Sequence, residues 1–232
     1  LHGWMVGGER YEKLIAILKE HKYQVYAPDL PGVGEIPLTK DVMYLDDYVE
    51  WVMKYLKKNN LKKVIIIGHS FGGRVAAKLA VAHPKTVEKL ILTGTPLIKR
   101  KLSMKKQLIA LAAKAGKKVV SHAPKPVAQI LRKGLYYSIG EWDYYKAGKM
   151  RETFKAIVNE DLIDVLPHIK VPTHIIWGDL DTFVPLRDGK EIAAKIKDSS
   201  LDVIRNGTHK LPYDMPNEFA ESTLDWLIAN GK

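Results

Sequence analysis

The sequence predicts an α/β protein with a mostly parallel, twisted sheet, helices covering both faces, and an inserted helical cap. Short apolar runs rich in β-branched residues alternate with segments of helical period, as in a sheet whose crossovers are helices. Between Pro96 and about Pro167 the β-rich runs disappear and helical periodicity replaces them. A chain of 232 residues with 46% apolar content suits one such core with an inserted subdomain. We therefore expect the core over residues 1–97 and 166–232 and the cap over 98–165.

The elements are expected in a regular order along the chain. The first part predicts a helix over 8–21, a strand over 24–27, a turn over 28–34 that is rich in proline and glycine, and a helix over about 45–58. After a central strand, turn and helix, further strands are expected over 87–94, 173–178 and 201–204. An amphipathic helix over 217–228 closes the chain.

The most informative stretch joins that central strand to its helix. The apolar strand Val64–Ile67 is followed by Gly68-His69-Ser70-Phe71-Gly72-Gly73, which places a serine where the chain must reverse sharply. Glycines have no β-carbon, so this turn can close tightly and lift the hydroxyl of Ser70 above the end of the sheet. Gly73 and the alanines at 76, 77 and 80 then let the helix lie close against the strands. The pattern is that of a nucleophile elbow, although a simple glycine turn would share its local features.

Composition narrows the classes of protein that the chain can belong to. Cysteine is absent, which excludes disulfides, cysteine-bound metal and thiol nucleophiles, and fits a reducing, cytoplasmic location. No apolar run approaches the roughly 18 residues needed to span a bilayer. No histidine and carboxylate grouping has the spacing of metal ligands, so we expect no metal and no cofactor.

The net charge of +11 raises the question of an anionic partner. Lysines are spread along the chain beside glutamates, as on solvated helix faces, and the densest basic segment is 99–118. We expect neither nucleic-acid binding nor stable membrane association. If the protein did bind nucleic acid or membranes, it would be retained on DNA or anionic vesicles with a steep salt dependence.

The chain resembles the α/β-hydrolase superfamily, and within it the capped, esterase-like members with a serine nucleophile. The resemblance covers nearly all of the chain. It rests on Leu1-His2-Gly3-Trp4, on Pro28-Asp29-Leu30-Pro31-Gly32, on the elbow, and on Trp177-Gly178-Asp179-Leu180-Asp181 with Val184-Pro185. It implies the α/β-hydrolase fold and a catalytic triad in the chain order serine, acid, histidine.

That order is met by Ser70, an acid at 179 or 181, and His209. Asp181 is preferred because the family's acid follows the strand in a Gly-x-x-Asp spacing and shortly precedes Val-Pro. Asp179 is the alternative and is interpreted as a turn residue. His209 follows an apolar strand through a loop, where Thr208 replaces the glycine common in relatives. The histidines at 83, 122, 168 and 174 are expected to be structural or exposed.

Two backbone N–H groups are expected to stabilise the oxyanion of a tetrahedral intermediate. Phe71 should supply one, and the resemblance places Trp4 opposite the elbow as the other, with Met5 as the nearest alternative. His69 is expected to pack or form hydrogen bonds under the turn. Substrate-pocket candidates are Met5, Tyr136, Tyr137 and Trp142, although cap-core packing would account equally well for the aromatic residues of the cap.

The chain begins at Leu1-His2-Gly3, without the strands that precede this loop in the family. We therefore expect the natural protein to carry about 20 to 30 further residues upstream, since an internal strand would otherwise leave unpaired backbone groups beside the elbow strand. Whether a signal sequence lies there stays open.

The function predicted is that of a cofactor-free serine esterase acting on a small-molecule carboxylic ester with a small or medium acyl group. A lactonase and a carbon–carbon bond hydrolase of the same fold are alternatives, because they carry the same triad. From another class, a ligand-binding protein on a hydrolase scaffold is a further alternative. A monomer or a small homo-oligomer is expected.

Overall fold

A computed structural model of the protein describes residues 1–100 and 147–231. The chain divides into two compact units, Leu1–Lys99 with Glu160–Lys232, and Arg100–Asn159. The helical segment expected around 108–119 and the aromatic candidates Tyr136, Tyr137 and Trp142 lie outside the described residues. The division at 98 and 165 into core and cap stays a prediction.

Four parallel strands build the sheet in the described part of the larger unit. They are β1 (Val64–His69), β2 (Val87–Thr93), β3 (Thr173–Gly178) and β4 (Ser199–Ile204), and they lie side by side in that order. His69 lies beside Thr93 and Gly178 beside Ile204, so the carboxyl ends of the strands form one edge of the sheet. The loops that follow the strands therefore meet along this edge.

The helices predicted over 8–21, over about 45–58, after the elbow and over 217–228 are present, and the structure adds others that the sequence analysis did not predict. The helices of the described chain are α1 (Glu12–Glu20), α2 (Leu45–Lys58), α3 (Phe71–Ala82), α4 (Arg151–Asn159), α5 (Leu186–Lys195), α6 (Leu211–Asp214) and α7 (Pro216–Ala229), with 3₁₀ turns at Gly8–Tyr11, Gly148–Met150 and Ile163–His168. Helix α4 lies in the smaller unit, where it buries Thr153 and Ile157.

Both faces of the sheet are covered because its strands are apolar on both sides. Ile176 of β3 belongs to a buried cluster with residues of α1 and α7, among them Leu14 and Phe219. The next residue, Trp177, points to the opposite face and lies against Gly189 of α5. Helix α3 contacts β1 and β2. The predicted fold class, a mostly parallel sheet flanked by helices, is confirmed.

The prediction of a strand over Gln24–Ala27 is wrong. A strand needs a neighbouring backbone to form its ladder. A cavity of about 430 Å³ lies instead between residues 23–28 and the outer edge of β1. At one end of that edge, the Leu1 nitrogen donates to the carbonyl of Ile67 at 2.6 Å, and the N–H of His69 donates to the Leu1 carbonyl at 3.0 Å.

Candidate active site

Ser70 occupies a sharp turn between β1 and α3. Its φ of 52° and ψ of −114° are unusual for a residue with a side chain, and its N–H donates to the carbonyl of Thr93 at 3.0 Å. The turn closes because glycine allows the helix to approach the strand. A Cβ on Gly68 would lie 2.6 Å from the Cα of Gly73, and a Cβ on Gly73 would lie 2.0 Å from the hydroxyl oxygen of Thr95. Because these glycines have no side chains, helix α3 can approach strand β1 as closely as the elbow needs.

Three predicted side chains meet at this turn. Nε2 of His209 lies 3.0 Å from Oγ of Ser70, and Nδ1 of His209 lies 2.8 Å from Oδ2 of Asp181. The carboxylate can only accept, so it favours the tautomer with a proton on Nδ1 and leaves Nε2 facing the hydroxyl. The Asp181 carboxylate is 1% exposed and the imidazole is 17% exposed. The arrangement can therefore take a proton from Ser70 and hold the resulting imidazolium beside a buried carboxylate.

The second oxygen of Asp181 fixes the direction of the carboxylate. Oδ1 accepts from the backbone N–H groups of Phe183 and Val184, at 2.9 and 2.8 Å. Asp179, the alternative acid, is exposed, and its N–H donates to the carbonyl of Ile204 at 3.2 Å. Asp181 is thus the carboxylate that the structure brings to the imidazole.

The loops that carry the acid and the histidine lie against each other through two glycines. A Cβ on Gly178 would lie 2.2 Å from the carbonyl oxygen of Gly207, and that oxygen accepts from the N–H of Leu180 at 2.9 Å. Thr208, where relatives commonly have glycine, accepts at Oγ1 from the N–H of Lys210 and at its carbonyl from that of Leu211. The threonine therefore stabilises the turn that leads from His209 into α6.

Gly94 is a residue of the site that the sequence analysis did not single out. It follows β2 with a φ of +54°, and a Cβ there would lie 3.0 Å from Nδ1 and Cε1 of His209 and 3.4 Å from Oδ2 of Asp181. Glycine leaves the space that the histidine and aspartate occupy. The available signal was a glycine at the carboxyl end of a buried strand.

The backbone groups expected to form an oxyanion hole belong to two segments near Ser70. Phe71 is the first residue of α3, and a helix does not bond its own first N–H groups. Gly3 begins a turn closed by the Val6 N–H on the Gly3 carbonyl at 3.2 Å, and a Cβ on Gly3 would lie 3.6 Å from Cβ of Ser70. The Trp4 ring meets the Phe71 ring edge to face at 5.4 Å. The loop that bears Trp4 therefore lies beside the elbow.

Of the four pocket candidates, Met5 falls within the described chain. It is 47% exposed and has a φ of 54° in the same turn as Trp4. Phe183, which the sequence analysis missed, is 69% exposed, and the centre of its ring lies 5.2 Å from that of His209. An aromatic residue two positions after the acid was the available signal. Both side chains present apolar surface next to the site.

His69 lies under the turn, as expected, but its partners could not be read from the sequence. Nδ1 lies 2.6 Å from the hydroxyl of Tyr11, and Nε2 lies 2.8 Å from the carbonyl oxygen of His209. Burial, and next the neighbouring imidazole of His209, lower the pKa of His69 from 6.5 to about 3. His69 is therefore neutral at physiological pH.

The other histidines of the described chain lie in different settings. His174 is buried in β3 between the hydroxyls of Ser200 and Ser222, and its ring stacks on Trp226. His168 is exposed, and His83, which directly follows α3, is half-buried. His122 lies outside the described residues. In the two described stretches, no three histidine, aspartate or glutamate side chains are grouped so that they could hold a metal ion.

A parallel sheet, a serine at a sharp strand-to-helix turn, and a histidine and an aspartate converging on it from later loops define an α/β-hydrolase. The chain belongs to the Hydrolase_4 family, described as serine aminopeptidase, S33, whose model matches residues 1–216. The resemblance inferred from the sequence, to an esterase-like α/β-hydrolase, is confirmed, and the protein is an enzyme of the hydrolase class.

Similar proteins were found in both sequence and structure comparisons. The chain is 22% identical to the uncharacterized hydrolase YugF of Bacillus subtilis, over 98% of this chain and 88% of that one. It is 25% identical to the mouse (Mus musculus) monoacylglycerol lipase ABHD6, over 99% and 74%. The structure of the esterase EaEST from Exiguobacterium antarcticum superposes with a TM-score of 0.73 at 23% identity, over 97% and 89%, and this likeness supports the fold alone. Among the helices of residues 1–100 and 147–231, none is both long and apolar enough to cross a membrane.

Proposed function

We propose that the protein is a serine esterase that cleaves carboxylic esters with a small or medium acyl group through an acyl-enzyme on Ser70. The hydrogen-bond chain from Asp181 through His209 to Ser70 is the observation that carries the proposal, with distances of 2.8 and 3.0 Å. A serine hydroxyl is a weak nucleophile unless a base can take its proton, and His209 is placed to act as that base.

In acylation, Oγ of Ser70 attacks the ester carbonyl carbon while its proton moves to Nε2 of His209. The N–H groups of Trp4 and Phe71 stabilise the negative oxygen of the tetrahedral intermediate. The carbon–oxygen bond to the alcohol then breaks, and His209 returns its proton to the departing oxygen. Asp181 stays ionised throughout and holds the imidazolium in place.

In deacylation, a water molecule gives a proton to Nε2 of His209 and attacks the acyl carbon. The second tetrahedral intermediate uses the same N–H groups, and its collapse returns the proton to Oγ of Ser70. The acid product leaves and the serine hydroxyl is restored. No cofactor enters this sequence of steps.

Esters are the preferred substrate class for two reasons. A monoacylglycerol lipase is among the proteins similar in sequence. The exposed ring of Phe183 and the exposed thioether of Met5 suit an apolar acyl or alcohol group. We include Tyr136, Tyr137 and Trp142 in the proposed pocket and residues 98–165 as its cap. A small-molecule lactone could undergo the same chemistry.

The cytoplasmic location and the state as a monomer or small homo-oligomer stay predictions.

The test combines labelling with a substrate panel. A fluorophosphonate probe should label the folded wild-type protein at Ser70, and Ser70→Ala should lose both labelling and p-nitrophenyl ester hydrolysis while its circular dichroism spectrum is unchanged. Near-wild-type turnover by Ser70→Ala would refute the role of this serine.

The panel should contain p-nitrophenyl esters of graded acyl length, lactones, vinylogous diketones and aminoacyl anilides. The highest kcat/KM is expected on an ester. A clear preference for a diketone or an aminoacyl anilide would contradict the proposed ester substrate. It would leave the role of Ser70 as the nucleophile unchanged. No labelling of folded protein would favour a ligand-binding protein instead.

A further inference from the structure

A chain of buried hydrogen bonds runs behind the elbow, away from the path of the reacting proton. The Gly3 nitrogen lies 3.1 Å from the hydroxyl oxygen of Tyr11. That hydroxyl lies 2.6 Å from Nδ1 of His69, and Nε2 of His69 lies 2.8 Å from the carbonyl oxygen of His209. Both Tyr11 and His69 are buried, with 9% and 2% of their surface exposed.

The direction of each hydrogen bond follows from the chemistry of its atoms. The carbonyl of His209 can only accept, so Nε2 of His69 carries a proton. Because burial lowers the pKa of His69 to about 3, the ring is neutral and Nδ1 has no proton. Nδ1 must then accept from the hydroxyl of Tyr11, whose oxygen accepts the N–H of Gly3. One proton arrangement satisfies all four groups.

This chain joins three segments that are distant in sequence. Gly3 precedes Trp4, whose N–H is assigned to the oxyanion hole. His69 precedes Ser70, and 140 positions separate His69 from His209. The position of each segment relative to the other two therefore depends on the phenol and imidazole between them, whose hydrogen bonds go to each other and to backbone groups.

Aromatic contacts hold the same two side chains in place. The ring of Tyr213 meets Tyr11 edge to face at 5.6 Å and His69 at 5.9 Å, and the guanidinium of Arg10 lies over the Tyr213 ring at 5.8 Å. The hydroxyl of Tyr213 takes no part in the chain of hydrogen bonds. Tyr213 is thus a neighbour with the same ring chemistry as Tyr11 and a different role.

We propose that Tyr11 and His69 are positioning residues that hold the Gly3–Trp4 loop and the backbone of His209 in register with Ser70. This inference rests on the proposed function. A shift of these segments by a fraction of an ångström would leave the substrate site present but misalign the oxyanion donors and the base in the transition state. The effect should therefore appear in kcat more than in KM.

The experiment compares Tyr11→Phe with Tyr213→Phe on a p-nitrophenyl ester. Rates are divided by the fraction of Ser70 that a fluorophosphonate titrates, so that misfolded protein does not count. Tyr11→Phe is expected to lower kcat about 10- to 100-fold with KM within about threefold of wild type. Tyr213→Phe, the matched control, should keep kcat within about threefold, because it loses a hydroxyl outside the chain and keeps its ring.

An equal effect of the two substitutions on kcat, or an effect of Tyr11→Phe on KM alone, would overturn the inference. If Tyr11→Phe does not fold, His69→Gln replaces it in the comparison, and the same fall in kcat at constant KM is required. Ser70→Ala separates the two claims. If that variant is inactive while both tyrosine variants match wild type, the serine mechanism stands and the positioning role is wrong.

Discussion

Replacing Gly94 by alanine is expected to lower kcat about 10-fold, because the new methyl group would enter the space of the His209 imidazole. The added Cβ would lie 3.0 Å from Nδ1 and Cε1 of His209, whereas ordinary van der Waals contact begins near 3.4 Å. The ring must therefore move by about 0.4 Å. Misplacement by about 1 Å can cost about 100-fold in rate, so a shift of this size corresponds to roughly 10-fold.

Backbone strain must be separated from this displacement. At a φ of +54°, any side chain costs roughly 1–2 kcal/mol relative to glycine. Gly148 offers a matched control, because its φ is +51° and a Cβ there would meet no atom of residues 1–100 or 147–231 within 4 Å. Gly148→Ala should thus introduce the same backbone strain without a new contact to a described residue. Both substitutions are expected to lower the melting temperature by about 2–8 °C.

The assay measures kcat on the best ester, normalised to titratable Ser70, together with thermal unfolding of both variants. Only Gly94→Ala should show the roughly 10-fold lower kcat. The reasoning would be refuted by wild-type kcat in Gly94→Ala, or by the same loss in Gly148→Ala. The first result would mean that the imidazole tolerates the shift, and the second that strain alone explains the loss.

Two further predictions concern the acid and the buried imidazole. Asp181→Asn should lower kcat about 10⁴-fold, because an amide does not hold the productive tautomer or balance the imidazolium, while Asp179→Asn should keep near-wild-type kcat in the same ester assay. His69 has a lowered pKa of about 3 when folded against 6.5 when unfolded, so the unfolded chain binds the extra proton below pH 6.5 and stability falls with pH from there toward 3. Urea unfolding should show that wild type loses about 1.6 kcal/mol more than His69→Asn between pH 6.5 and pH 5, and equal losses would contradict this prediction.

Local pattern was sufficient for much of the fold. The β-branched run before Gly68 and the alanines after Gly73 predicted β1, the elbow and α3, because strand and helix preferences there act within a few residues. The same reasoning failed at Gln24–Ala27, where the local sequence favours a strand. A strand is a pair of backbones, and residues 24–27 have the cavity beside β1 where a partner would lie.

The types of residue in the site and their order along the chain could be predicted from the sequence. Their arrangement in space could be predicted less well. The spacing after β3 favoured Asp181 over Asp179, and the structure brings Asp181 to 2.8 Å from His209. The space left by Gly94 and the ring of Phe183 were missed. Both depend on contacts with His209, which lies far from them in sequence.

By itself, the sequence determined the order of elements, the glycine turn around Ser70 and the chemical identity of the groups that could act there. Tertiary structure alone decided that the phenol of Tyr11 lies between Gly3 and His69, and that His69 reaches the carbonyl of His209. The physical reason is range. Glycine conformations and strand or helix periodicity are set by neighbours in the chain, whereas a hydrogen bond between residues 58 or 140 positions apart exists only when packing of the whole sheet has brought their segments together.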